Sequence, residues 1–244
     1  YMESYWRPQA KGWGHVDGWE PQPFPAHTEV LRMLADREPD PALRRAMLAR
    51  VEEVVLAAAL QHGPGWLGTS AGGHIALRLL PYYEGYLTQA IDAWRRDVQD
   101  KINRQRPDGH WVFQPSNDSQ RVLGTPGEKA LGLTATPAWD VLRFARVTGD
   151  RRAREAGLHA LEAMREFRIP RAAQTWEVPV HSPDILAAGI AVGAYIEGYR
   201  LTGDPAYLED ARYWARAGLP FVYLWGTYDR PVMKYATIPV FGAT

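Results

Sequence analysis

Two stretches of the chain repeat one pattern, in which a helix is followed by a Gly-Asp turn and a second helix. They read WDVLRFARVTGDRRAREAGLHAL, residues 139–161, and GAYIEGYRLTGDPAYLEDARYWA, residues 193–215. The turn glycines Gly149 and Gly203 lie 54 residues apart, a spacing close to those of repeated helical units that stack on one another. The repeat therefore predicts an all-α chain built from helical hairpins.

Two weaker copies of the pattern precede these. The sequence YYEGY, residues 82–86, matches YIEGY, residues 195–199. At the start of the chain, HTEVLRMLADRE and PALRRAMLARVEEVVLAAAL form a pair that is divided by a turn at Pro39 and Pro41. The predicted hairpins lie at about residues 27–61, 71–105, 128–168 and 183–224.

The two helices of a hairpin differ in composition. In the last hairpin the first helix, ILAAGIAVGAYIEGY, is rich in Ala and Gly. Its glycines cost helix propensity but allow neighbouring helices to approach closely. The second helix, PAYLEDARYWARAG, has one apolar stripe and is otherwise charged, as expected of a helix that faces water. We therefore predict buried inner helices that alternate with outer helices.

Alternating inner and outer helices in hairpins resemble the (α/α) toroid of the six-hairpin glycosidase-like superfamily and of the toroidal polysaccharide lyases. The resemblance implies one α/α-toroid-like domain over residues 1–244 and an activity on carbohydrates. Because four hairpins do not close a six-hairpin ring, the chain is predicted to be a fragment, an open array or one part of a larger protein. A further domain, or a second copy in a homo-oligomer, would then supply the missing hairpins.

Composition excludes several classes of function. Basic and acidic residues balance at 28 each, so no field favours nucleic acid or an anionic membrane surface. No apolar run reaches the roughly 18 residues that a membrane span needs. The absence of cysteine excludes disulfides, thiolate zinc sites and cysteine nucleophiles. Compact metal-ligand spacings and nucleotide-binding motifs are also absent, so neither a metal nor a cofactor is predicted.

Connections within hairpins are short, whereas those between hairpins are long and must all emerge at one end of the helices. Seven of the 10 tryptophans lie in these long segments, and all but one of the 7 histidines lie there or just inside the next helix. Loops on a rigid scaffold collect binding residues, and Trp and Tyr offer apolar faces with a polar edge. This end of the helices, called the long-loop rim below, is predicted to bind an oligosaccharide or polysaccharide.

Several rim residues are predicted to contact the glycan. They are Trp66, Trp111, Trp176, Trp225, His110, Arg121 and Tyr228. The alternative is that the tryptophans fill the mouth of the helices as a second core, because aromatic side chains tend to be buried.

Glu177 and His181 stand in the stretch TWEVPVH, which precedes the last inner helix. Pro179 and Pro183 keep this segment extended. Glu177 follows Trp176 directly, and a carboxylate against an aromatic wall is desolvated, which raises its pKa toward that of a general acid. His181 is interpreted as a base, a ligand of sugar hydroxyls or a buried imidazole.

Two aspartates are candidates for the second carboxylate. Asp118 lies in a polar stretch without periodicity, which is typical of a mobile loop or a ligand loop. Asp184 follows Ser182 and Pro183 in a pattern that marks the start of a helix. A capping role therefore competes with catalysis at Asp184.

These residues predict glycoside hydrolysis by a carboxylate pair, with Glu177 as the acid and Asp118 or Asp184 as its partner. One alternative is a lyase on uronate-containing polysaccharide, in which His181 or a tyrosine takes the proton and an arginine or asparagine of the rim neutralises the carboxylate. The candidates for that neutralising group are Arg121, Arg171 and Asn117. The other is a glycan-binding array without catalysis. A polysaccharide substrate would favour a secreted or periplasmic location.

The repeat also places a glutamate at equivalent positions, Glu84 and Glu197. An unpaired carboxylate on an inner helix would be costly. Its repetition therefore favours a structural bond to a neighbouring hairpin over catalysis.

Overall fold

A computed structural model of the protein describes residues 5–14, 21, 25–62, 83–176 and 178–221. Seven α-helices and one two-stranded sheet lie in these ranges. The all-α class and the repeated helical hairpins are confirmed. Within the same ranges, no helix has the length and apolar content needed to cross a membrane.

The first compact unit spans Tyr1–Asp97. Its elements are strands β1 (Trp6–Arg7) and β2 (Gly12–Trp13), helices α1 (Pro25–Ala35) and α2 (Pro41–His62), and most of helix α3 (Leu87–Arg104). Helices α1 and α2 form the first predicted hairpin. Helix α3 is the outer helix predicted for residues 71–105, whereas most residues predicted to form the inner helix of that hairpin lie outside the described residues.

Two of the seven tryptophans of the long segments, Trp6 and Trp13, are predicted at the rim because they precede the first hairpin, but they lie in the core of this unit. Trp6 and Trp13 pair in register across the two strands, and their rings meet edge to face with centroids 5.2 Å apart. Both are buried against Leu31 of α1 and Val51 and Val54 of α2. For this pair the second-core alternative is therefore the one observed.

The second compact unit spans Val98–Thr244. Its helices are the end of α3, then α4 (Leu131–Thr148), α5 (Arg151–Met164), α6 (Ile185–Thr202) and α7 (Ala206–Gly218), with short 3-10 turns at Asp118–Val122 and Leu219–Phe221. Helices α4 and α6 lie side by side, while α5 packs on α4 and α7 packs on α6. The inner and outer helices predicted from composition are present in this unit.

The Gly-Asp turns of the repeat follow from backbone geometry. Gly149 and Gly203 have φ angles of 74° and 75°, in the left-handed region that glycine adopts without a steric penalty. Their N–H groups donate to the carbonyls of Ala145 and Tyr199, which ends α4 and α6. Asp150 then accepts a bond from the Ala153 N–H at 2.9 Å and starts α5.

Glycines on the inner helices admit side chains of their neighbours. A Cβ atom at Gly193 of α6 would lie 2.5 Å from the ring of Trp139 on α4. At Gly198 of α6, the space that a side chain would take is occupied by a methyl group of Leu161 of α5. The Ala and Gly content of the inner helices thus permits the close approach that the sequence predicts.

Each repeated glutamate pairs with an arginine of a neighbouring hairpin, and Glu197 also pairs with Arg200 of its own helix. Glu197 is 3% exposed, and its Oε2 accepts a bond from Arg146 Nε at 2.5 Å while its Oε1 accepts one from Arg200 at 2.9 Å. In the first unit, Glu84 Oε1 lies 3.5 Å from Arg32 Nε of α1. Burial raises the pKa of Glu84, and Arg32 opposes that rise. The structural bond predicted for both positions is confirmed.

Replacing Gly193 by Ala tests the contact between the inner helices. We expect the free energy of unfolding to fall by about 1–3 kcal/mol, because the added methyl group overpacks against Trp139. Gly189→Ala is the matched control, since among the described residues no atom beyond its own stretch of helix lies within 4 Å of the place that its Cβ would take. Alanine there should raise the free energy of unfolding by about 0.5–1 kcal/mol. Urea denaturation measures both, and equal effects would contradict the packing described.

Candidate active site

The long loops of the second unit lie at one end of its helices. Residues 105–130 lead from α3 into α4, and residues 165–184 lead from α5 into α6. At the opposite end, short turns at Gly149 and Gly203 join α4 to α5 and α6 to α7. The predicted asymmetry between long and short connections is therefore present, and the described part of the long-loop rim in this unit comprises these two long loops.

The two rim loops are bonded to each other and to the inner helices. The Val180 N–H donates to the Leu123 carbonyl at 2.7 Å, and the N–H of Gly132, at the start of α4, donates to the Arg171 carbonyl at 2.8 Å. Beneath them is a small apolar cluster formed by Phe113, Ala130, Ala172 and Val180. Much of the rim is thus a folded layer with its own core.

Trp111 and His110 belong to that folded layer. Trp111 is 8% exposed, and its Nε1 donates to the Lys101 carbonyl at 2.8 Å. His110 is 1% exposed, with Nδ1 3.3 Å from Thr134 Oγ1 and Nε2 3.2 Å from Glu166 Oε1. Both side chains are thus buried and have partners inside the fold, which favours a structural role over the predicted glycan contact.

Asp184 is a buried helix cap. Its Oδ1 accepts a bond from the Ala187 N–H at 2.6 Å, and its Oδ2 accepts one from the Ala173 N–H at 2.9 Å. Burial raises the pKa of this carboxyl, while the bonds from Ala173 and Ala187 act in the opposite direction. Because both oxygens are used by backbone groups, Asp184 ties the second rim loop to the start of α6, and the capping interpretation is the one that the geometry favours.

Asp118 and Arg121 lie on the surface. Asp118 begins the 3-10 turn, its side chain is 94% exposed, and its Oδ1 lies 3.1 Å from Arg121 Nε. The Arg121 side chain is 73% exposed. An ion pair this exposed adds little to stability, so both groups remain open to a ligand.

Trp176 and His181 are exposed on the second rim loop. Trp176 keeps 49% of its surface exposed, and His181 is also exposed. Val178 and Val180, which lie between them, are buried and hold the loop in place. The remaining predicted residues lie outside the described residues: Glu177, Trp66, Trp225 and Tyr228.

The structure brings four of the predicted residues onto two adjoining segments. The bond between Val180 and Leu123 joins the segment that carries Trp176 and His181 to the one that carries Asp118 and Arg121. This part of the rim offers an aromatic face, a carboxylate, an imidazole and a guanidinium. No cluster of metal ligands occurs among the residues that the structure describes.

Gln174 is a rim residue that the sequence does not single out. Its Oε1 is buried without a hydrogen-bond partner among the described residues, as is the Nε of Arg171 on the same loop. No motif marks an unsatisfied amide, because satisfaction depends on contacts made only after folding.

Asp184→Ala tests the junction between the second rim loop and α6. We expect the free energy of unfolding to fall by about 2–4 kcal/mol, because two backbone N–H groups lose a buried acceptor. Asp150→Ala removes a cap at the start of α5 and should cost about 1 kcal/mol. Chemical denaturation compares them, and a loss at Asp184 no larger than at Asp150 would show that the junction is dispensable.

The raised pKa of Asp184 also predicts a pH dependence. The folded state binds this proton more tightly than the unfolded chain does, whose aspartate has its ordinary pKa of 3.8. The stabilisation that comes from this tighter proton binding is therefore complete below that value and is lost as pH rises through the raised pKa, whereas the hydrogen bonds accepted by the carboxyl oxygens remain. Stability measured against pH should show this fall in the wild type and not in Asp184→Asn, and identical slopes would refute it.

No family model matches the chain, and no curated protein is similar to it. Among solved structures, the chain is similar to a selenomethionine derivative of a GH76 alpha-mannanase of Bacteroides thetaiotaomicron, with 14% identity and a TM-score of 0.44. The similarity covers 91% of this chain and 53% of the mannanase chain. The protein thus spans about half the length of that structure.

Proposed function

We propose that the protein is a carbohydrate-active enzyme that hydrolyses a glycan at the long-loop rim of its second unit. The observation that carries this proposal is Trp176, which is 49% exposed on a loop whose backbone is bonded to its neighbours. The buried valines Val178 and Val180 follow it, and the Val180 N–H is bonded to the other rim loop. A large ring held half in water is suited to stacking on the apolar face of a sugar.

Polar groups on the same two rim segments support the same ligand class. Asp118 and Arg121 are exposed on the adjoining segment, and His181 is exposed on the same loop as Trp176. A sugar needs hydrogen-bond donors and acceptors for its hydroxyls beside an apolar surface for its ring, and these side chains supply both kinds.

The proposed mechanism uses two carboxylates. Glu177, the residue after Trp176, donates a proton to the leaving oxygen, and Asp118 activates water or attacks the anomeric carbon. Asp118 is suited to the second role because its exposed side chain stays hydrated beside the Arg121 guanidinium. Asp184 is set aside as the partner because both of its oxygens accept backbone bonds.

A polysaccharide lyase is the second candidate, and the exposure of His181 beside the Arg121 segment favours it. In that reaction His181 removes the proton next to a uronate carboxylate, and Arg121 neutralises the carboxylate. A lyase leaves an unsaturated uronate that absorbs ultraviolet light, whereas a hydrolase does not.

The two reactions are separated by incubating the protein with neutral and uronate polysaccharides. We expect new reducing ends without ultraviolet absorbance, since hydrolysis adds water across the glycosidic bond. Reducing ends that rise together with absorbance would assign the lyase reaction. A glycan that binds without either change would assign a binding module.

The substitution Glu177→Gln tests the proposed role of Glu177 as the general acid. We expect kcat to fall by about 10²–10⁴-fold, the usual contribution of a positioned proton donor, while the glycan affinity persists. Glu155→Gln is the matched control, because Glu155 is exposed on the outer helix α5. The measurement is kcat of both variants on a polysaccharide that the wild type cleaves. A Glu177→Gln variant as active as the control would exclude Glu177 as the general acid.

A further inference from the structure

The backbone of residues 170–174 is fixed before any ligand binds. Four hydrogen bonds hold it, with donor and acceptor 2.8 to 2.9 Å apart. They join the Asp184 N–H to the Pro170 carbonyl, the Gly132 N–H to the Arg171 carbonyl, the Ala173 N–H to Asp184 Oδ2 and the Val178 N–H to the Gln174 carbonyl. This segment is therefore anchored to the starts of both α4 and α6.

Ala172, in the middle of the segment, has a strained conformation. Its φ angle is 65°, in the left-handed region that costs free energy for any residue with a Cβ atom. The residue is buried, and a Cβ atom at Gly132 would lie 2.5 to 2.7 Å from the backbone of Ala172 and Ala173. Packing against Gly132 thus maintains a turn between Arg171 and Gln174, and strain of this kind tends to collect at functional sites.

Arg171 and Gln174, on either side of that turn, contain complementary unsatisfied atoms. The Arg171 Nε is a donor and the Gln174 Oε1 is an acceptor, and both are buried without a partner among the described residues. Three steps along the chain keep their Cα atoms within about 11 Å. A buried polar atom without a partner is costly, so these two atoms are suited to a ligand that supplies both an acceptor and a donor.

Similar side chains of the same unit are satisfied by the protein itself. Gln105 Nε2 donates to the carbonyls of Gly109 and Ala156 at 2.9 and 3.0 Å. Arg165 donates twice to Asp210 Oδ2, at 3.0 and 2.8 Å. The unsatisfied atoms at Arg171 and Gln174 are therefore not a general property of this unit.

We propose that Arg171 and Gln174 form a hydroxyl-binding subsite for the sugar ring that stacks on Trp176. This inference rests on the proposed action on a glycan at the rim. A hydroxyl is both donor and acceptor and satisfies both atoms, whereas a carboxylate would meet the Gln174 Oε1 unfavourably. Both residues are partly exposed, so a ligand at the surface can approach them, and the soft terminal torsion of glutamine lets its amide align with that ligand.

The stability of the ligand-free protein gives the first test. A residue kept for binding does not stabilise the fold, so Gln174→Leu should leave the folding equilibrium constant unchanged or raise it. Gln105→Leu, the matched control, removes the donor to two carbonyls and should lower that constant by about tenfold or more. A comparable loss in Gln174→Leu would overturn the subsite, because it would show that Gln174 is satisfied within the fold.

Binding of defined sugars gives the second test. The probes are methyl glucoside, methyl mannoside, methyl galactoside and their monodeoxy analogues, titrated by NMR into the full chain. For the tightest glycoside, removal of the recognised hydroxyl should weaken binding to the wild type about tenfold. The same removal should cost less than about twofold in Gln174→Leu, because the interaction is already lost. Arg171→Lys keeps the positive charge but lacks the Nε–H, so removal of the recognised hydroxyl should also cost this variant less than about twofold in affinity.

The outcomes separate this inference from the proposed function. If removal of each hydroxyl weakens binding by the same factor in the wild type and in Gln174→Leu, and a polysaccharide is still cleaved, the subsite is overturned and the proposed hydrolase is not. No binding of any glycoside, together with no polysaccharide bound or cleaved, would overturn both. Non-additive losses confined to one hydroxyl would support the subsite.

Discussion

The second unit depends on one buried carboxylate. Asp184 accepts backbone bonds from Ala187, at the start of α6, and from Ala173, in the loop before it. One side chain therefore sets where an inner helix begins and how the preceding rim loop is held. The N–H of Gly132 joins the same loop to the start of α4, so the ends of two inner helices share one anchored segment. The geometry of the candidate site depends on this frame, which consists of the backbone bonds that Asp184 and Gly132 make with the rim loop.

The same frame explains how the loop combines order with exposure. The buried residues Ala172, Val178 and Val180 fix its path, whereas Trp176 and His181 remain exposed between and beyond them. A ring held in this way loses little conformational entropy when a ligand stacks on it, because its backbone is ordered beforehand. The described rim residues of this loop therefore fall into two groups: buried residues that fix the path of the backbone, and exposed residues that can contact a ligand.

Local patterns in the sequence predict the helices well for physical reasons. Gly149 and Gly203 need left-handed backbone, and a Gly-Asp pair that ends one helix and caps the next is visible in a short window. The small residues around Gly193 indicate close helix packing, and repetition of Glu84 and Glu197 indicates a repeated contact. Each of these properties depends on neighbours in the chain or on the repeat itself.

The candidate site is less accessible to such reasoning, because burial of loop residues depends on distant partners. Trp111 and Trp176 are both rim tryptophans in the sequence, yet one donates to Lys101 inside the fold and the other is half exposed. The cluster beneath the rim contains Phe113, Ala130 and Val180, which no periodicity connects. Gln174 likewise becomes notable only once its missing partner is known.

The difference between the two tryptophans offers the most direct test of glycan binding at the rim. NMR would follow the indole N–H resonances of Trp176 and Trp111 while a polysaccharide or methyl glycoside that binds the protein is added. The two resonances are assigned by substituting each tryptophan with Phe. We expect the Trp176 resonance to shift with saturation while the Trp111 resonance, held by the Lys101 carbonyl, stays in place. Saturable binding that leaves the Trp176 resonance unmoved would contradict the site proposed at the long-loop rim.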